Sequence, residues 1–197
     1  MQVSHPVRFS VSVNDSLFQT CQTSIRPLIP SRLLETICWS VSEPVRTASV
    51  YADASNGKEC RTPSNDADTE FSNATRALSD SDKNEVIMKS PFLTILYPMD
   101  RFDEMGPSSR AYFSESGFSV VKILNQIHAF YEENMSAPEV EVAMNTDSRH
   151  ADKLRSAFCS NVPFKRIELL GSRKSFEMLK RVGAEGTAIV YQLLLRA

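Results

Sequence analysis

Three histidines, with the carboxylates and hydroxyls near them, are the residues of this chain whose types could do acid–base or nucleophilic chemistry. The run Asp147-Ser148-Arg149-His150-Ala151-Asp152 offers a base, a hydroxyl and two carboxylates side by side. Serine catalysis needs the hydroxyl and the imidazole to meet, with an oxyanion donor beside them. Sequence neighbours on a helix point apart, so this spacing predicts that Asp147 or Ser148 caps a helix while Arg149, His150 and Asp152 stand in solvent. His128 lies four residues before Glu132, where an imidazole and a carboxylate share one helix face. As a general base it would need a substrate pocket and a tuned pKa, and its position next to the apolar Ile127 predicts a boundary residue instead. A catalytic reading would rest on His128, His150 and Asp147. His5 gives no usable pattern. The expectation is no catalytic, cofactor or metal site.

Other chemistries find less material. Asp100, Asp103, Glu104 and Glu115 make one loop acidic, but DRFDE lacks the ligand spacing and central glycine of a calcium loop. Cysteines at 21, 38, 60 and 159 form no CxxC pair, and no histidine stands at zinc-finger spacing. The sequence holds no GxGxxG, Walker A, GxSxG or HExxH motif, and only 6 glycines from which to build a phosphate cradle.

The basic set Lys165, Arg166, Arg173, Lys174, Lys180 and Arg181 has the charge for an anion or nucleic-acid contact, which would bind in a salt-sensitive way. Phe164 and Phe176 read as buried, however, and no glycine-rich or RNP-like motif accompanies the set, so ordinary solvation is expected. The formal net charge of −2 conceals an asymmetry: residues 148–197 carry ten Lys and Arg against four Asp and Glu, while the rest carries twelve against twenty. The two regions can neutralise each other in the fold or steer an acidic partner to one face.

The elements that must position these residues follow from periodicity. VRFSVSV, residues 7–13, alternates apolar and polar as a strand does. Two prolines interrupt any helix before Ser31, after which Leu33, Leu34, Ile37 and Cys38 fall at helical spacing. Residues 45–51 read as extended. PFLTILY, residues 91–97, is a strand with proline at its first position. Val120, Ile123, Leu124, Ile127 and Tyr131 recur at three and four residues behind Ser119, a candidate cap. Ser136-Ala137-Pro138-Glu139 writes a capping box with proline in the first turn. Residues 148–158 predict a helix with Ala151, Leu154 and Phe158 on one face. Residues 164–170 read as strand-like, residues 172–182 as a short helix or turn with Phe176 and Leu179 inward, and residues 188–195 as a closing strand.

The predicted class is α+β, a small antiparallel or mixed sheet with helices on one face, plus a flexible polar linker. Residues 1–51 form a β-rich segment that can pack on the later domain or fold separately, 52–85 the linker, whose composition cannot offset its ordering entropy, and 86–197 the α+β domain. The opening residues lack a signal peptide's basic start and apolar stretch, and nothing approaches the roughly 18–20 apolar residues that span a bilayer. A cytosolic or nuclear protein with reduced thiols is therefore expected.

The second half resembles a small domain of unknown function common in mushroom-forming basidiomycete fungi. The resemblance rests on the apolar strand followed by Pro98, on Gly117-Phe118-Ser119-Val120 continuing as ILNQIHAFYEENMSAPE, and on RIELLGSRKSFEML with its closing strand, about half the chain. It implies a fold and carries no activity. The expected function is an intracellular protein-interaction or scaffold module without catalysis. The alternatives are an enzyme of unfamiliar type acting on a small molecule, or nucleic-acid binding through the C-terminal basic residues.

Overall fold

Proline-free sequence after Ser31 begins a helix, but only one turn of it forms, because Ile37 is drawn into a sheet. The computed structural model describes residues 32–51, 75–146, 149–160, 162–185 and 188–197. In it α1 (Arg32–Glu35) leads into β1 (Ile37–Cys38), a 3-10 turn at Val45–Thr47 and β2 (Ser49–Tyr51). Extended structure was expected over all of residues 45–51, and only the last three adopt it. β3 (Thr75–Ala77) completes an antiparallel sheet in the order β1-β2-β3.

Part of the linker expected at residues 52–85 takes up regular structure. Residues 52–74, like the candidate strand at 7–13, lie outside the described residues. Residues 75–84, in contrast, form β3 and α2 (Asp80–Asn84). The physical reason is local. Leu78 is buried, and Ser79 and Asp82 close a capping box in which the carboxylate accepts the Ser79 N–H at 2.9 Å.

The apolar run after Pro91 forms the centre of the second sheet. β4 (Val86–Met88) pairs with the short β7 (Phe118–Ser119), while β5 (Phe92–Tyr97), β6 (Ser108–Phe113), β8 (Ser175–Glu185) and β9 (Ala188–Arg196) assemble in the order β6-β5-β9-β8. The sheet is mixed: β5 runs antiparallel to β6 and parallel to β9. Its inner face carries Leu93, Ile95, Tyr97, Tyr191, Leu193 and Leu195, all buried. Helix α3 (Val120–Glu132) covers them with Ile123, Leu124, Ile127 and Phe130. Ser119 occupies the cap position with extended backbone, yet its side chain makes no capping bond. The Val120 N–H instead donates to the Glu85 carbonyl at 3.1 Å, which satisfies one of the orphan amides.

Two helices follow, α4 (Ala137–Met144) and α5 (Arg149–Cys159). The predicted capping box is present: the Glu139 carboxylate accepts the Ser136 N–H at 2.7 Å and its hydroxyl at 2.9 Å. Ala143, Leu154, Phe164 and Leu169 make a second, smaller core there. Residues 164–170, expected to be strand-like, hold a 3-10 turn at Arg166–Glu168, because Arg166 turns inward to acidic partners that no alternation pattern foretells. Of residues 172–182, expected as helix or turn, Ser172 lies in a turn and 175–182 belong to β8. Phe176 and Leu179 are buried, and a bulge between Phe176 and Met178 puts residues three apart on one face of a strand.

The described part of the N-terminal segment is fastened to the later sheet. The Phe176 N–H donates to the Trp39 carbonyl and the Val41 N–H to the Lys174 carbonyl, both at 2.8 Å. Leu34, Ile37, Trp39, Val41 and Val50 share one core with α3 and the four-stranded sheet.

Candidate functional site

Burial opposes charge, so a buried arginine must be held by partners, and Arg166 is held by several. Only 4% of it is exposed. Its Nε and Nη2 donate to Glu139 at 3.0 Å each, and its Nη1 donates to Glu133 at 2.7 Å and to the Phe130 carbonyl at 3.1 Å. The guanidinium lies 4.6 Å from the Phe130 ring centre, and that ring stacks on Tyr97 at 3.9 Å. Glu133 also accepts Arg110 at 2.6 Å. Burial disfavours the charged carboxylates, but hydrogen bonds from Arg166, and from Arg110 at Glu133, outweigh it and hold both carboxyls below their ordinary value. Burial likewise opposes the Arg166 charge, and Glu139 and Glu133 raise its pKa despite it. The cluster fixes α3, α4 and the 3-10 turn to one another.

The rest of the basic set is dispersed. Lys165 pairs with Glu132 at 2.6 Å, and Arg173 donates to both oxygens of Asp103 at 2.8 and 2.9 Å. Lys174, Lys180 and Arg181 make no ion pair among the described residues, and the last two, as successive strand residues, point to opposite faces of β8.

Among the described residues His128 is the candidate histidine whose side chain is placed, and it meets no acid. His128 is half-buried, its Nδ1 donating to the Val41 carbonyl at 3.0 Å and its ring meeting Trp39 edge-on at 6.4 Å. Glu132, the expected neighbour, is taken by Lys165. His150 lies in α5, and its side chain, Asp147 and Ser148 fall outside the described residues, as does His5. In the acidic loop Asp100 is buried and accepts the N–H groups of Phe102, Glu104 and Met105 at 2.7, 3.2 and 2.8 Å, so it organises its own turn. No group of three or more His, Cys, Asp or Glu among the described residues is placed to hold a metal. One hydroxyl–amine pair escaped sequence reasoning: Lys122 donates to the Ser114 hydroxyl, which itself donates to the Gly117 carbonyl. Ser114 is buried, and the pair closes the 114–117 turn.

Two clefts lined by apolar side chains border α4. Between α4, α5 and residues 162–164 is a cleft of about 340 Å³ lined chiefly by Val140, Leu154, Phe158, Val162 and Phe164. Phe158 was expected inward beside Leu154. It is 62% exposed instead, and Val162 is 56% exposed, because among the described residues no element lies over that face. A smaller cleft of about 200 Å³ lies between α4 and the loop before β6, lined by Met99, Met105, Pro107, Pro138 and Val142. Sequence reasoning missed Val162, Val142 and Met105. The apolar stripe of α5 held the one usable signal, since it assigned Phe158 to a buried face that the fold leaves open.

The described residues form an α+β fold: a mixed sheet, a helical layer and clefts lined by apolar side chains. No family model matches the chain, and neither a curated protein nor a solved structure matches it. Among the described residues no helix is long and apolar enough to cross a membrane.

Proposed function

We propose that the chain is a protein-interaction module of the cytosol or nucleus, without catalytic activity of its own, that receives a large apolar side chain of a partner protein in the cleft between α4 and α5. The observation that carries this reading is the exposure of Phe158 and Val162 at the rim of an apolar cleft. Large apolar side chains standing together in water mark contact sites. The ionic groups nearby are already paired within the chain, Lys165 with Glu132 and Arg155 with Asp152, so apolar contact supplies the affinity. The free thiols of Cys38 and Cys159 suit a reducing compartment. Nucleic-acid binding and unfamiliar catalysis carry less weight, since three of the six basic residues have acidic partners and His128 borders neither cleft.

Co-purification from the cell that makes the protein tests the reading, with the double variant Phe158→Asp, Val162→Asp as reference. Proteins held by the natural chain and lost from the variant are the expected result. Equal recovery by both would overturn it, and recovery only of nuclease-sensitive material would favour nucleic acid.

A further inference from the structure

We propose that β6 is a docking strand: an extended segment of a partner protein adds to its free edge, places a large apolar side chain in the cleft beside Ser108, and sets an acidic side chain two positions away against Arg110. This site is separate from the α4–α5 cleft and goes beyond the binding assigned there.

Hydrogen-bond parity defines the edge. The Ser114 N–H donates to the Pro91 carbonyl at 2.8 Å, continuing the register in which Phe92 faces Phe113 and Leu93 faces Tyr112. Bonded and non-bonded pairs alternate in an antiparallel ladder. Tyr112, Arg110 and Ser108 therefore use their backbone groups on β5, while the N–H and C=O groups of Phe113, Ala111 and Ser109 point away from it. Among the described residues no strand lies on that side. The strand is six residues long, free of lysine, proline and bulge, and Phe113 is 60% exposed. Natural proteins usually blunt an edge with those devices or with charge, and of these β6 has only Arg110.

The second observation is the 200 Å³ cleft, which opens beside the first residue of β6 and has Met105, Pro138 and Val142 in its wall. Strand addition takes affinity from main-chain bonds and specificity from pockets that receive alternate side chains. On the helix side an added strand meets Ser108, Arg110 and Tyr112 in turn. The residue two positions from the anchor thus faces the Arg110 guanidinium, 40% exposed and bonded to Glu133. An exposed pair of this kind is weak and readily shared. When a partner carboxylate takes Arg110, Glu133 keeps Arg166 and is not left unpaired.

The test is a random-peptide display library panned against the full chain, followed by affinity measurements on the enriched peptides. Peptides with an acidic residue two positions from Leu, Met or Phe are expected, weakened at least about tenfold by Ala111→Pro and by Val142→Asp and unaffected by Phe158→Asp. Ala111→Pro removes an N–H that β5 does not use, so the ladder within the chain is kept, and Val142 lies exposed on α4, so the two variants check each other. The proposal is overturned by a library that returns no such peptides, by binding indifferent to both variants, or by binding lost to Phe158→Asp. It is overturned equally if the amides of Ser109, Ala111 and Phe113 are already protected from exchange in the free chain, which would mean that residues 1–31 or a second copy hold the edge.

Discussion

Replacing Arg166 by methionine keeps much of its apolar stem and strands two carboxylates. Breaking a buried pair by removing one partner typically costs 3–5 kcal/mol, and because Glu133 and Glu139 retain some contact with water, a loss of about 3 kcal/mol is expected in denaturant unfolding. The pH dependence has a definite sign. Both carboxyls titrate below their ordinary value of 4.5 in the folded chain. Their contribution is therefore present above that pH and disappears as pH falls through the lowered values. Stability of the natural chain is expected to decline below about pH 4.5, and that of Arg166→Met to decline less over the same interval. Equal slopes for the two proteins would remove the acidic cluster from the account. At this scale the sequence was a poor guide, since six basic residues read alike as solvated or phosphate-binding. Only the fold, by bringing Glu133 and Glu139 to Arg166 from another part of the chain, distinguishes it from Lys180.

At the scale of elements, positions that combine backbone conformation with close approach are the least replaceable. Gly117 has φ +77°, and an added Cβ would run into the Met88 carbonyl across the β4–β7 pair. Gly117→Ala is expected to cost at least about 2 kcal/mol from backbone strain and displacement of β4 together, visible as a lower thermal midpoint. An unchanged midpoint would show that β4 yields freely. The long helix α3 was legible because its apolar residues keep one period over three turns, and α4 because a capping box and proline are written into four residues. β8 was not legible, since a bulge gives Phe176 and Leu179 a helical spacing within a strand. The turn at Arg166–Glu168 was hidden for a different reason: its inward residue is charged, and periodicity weighs only apolar ones.

For the whole molecule, the mixed sheet under a helical layer could be anticipated from the order of elements, whereas sequence left open whether residues 32–51 pack on the later domain or fold apart from it. That segment contributes two short strands and scattered apolar residues, and its main-chain bonds to Lys174 and Phe176 reach more than a hundred positions along the chain, beyond any local pattern. Its main-chain bonds to β8 and its place in the main core predict that a chain beginning at residue 86 loses cooperative unfolding, while one beginning at Arg32 retains it. A sharp calorimetric transition from the shorter chain would contradict that prediction. The candidate sites were not legible, since the stripe on α5 set Phe158 beside the buried Leu154, and the edge of β6 depends on strand order, which no single segment encodes.

Trp39, the sole indole of the chain, sits at this seam, 5% exposed, with the Phe176 and His128 rings each 6.4 Å from it. Its emission therefore belongs to one junction and to no other part of the molecule. A red shift that runs ahead of the far-ultraviolet dichroism during gentle heating would time the detachment of the amino-terminal strap from β8, giving an optical clock for an opening event that bulk stability measurements average away.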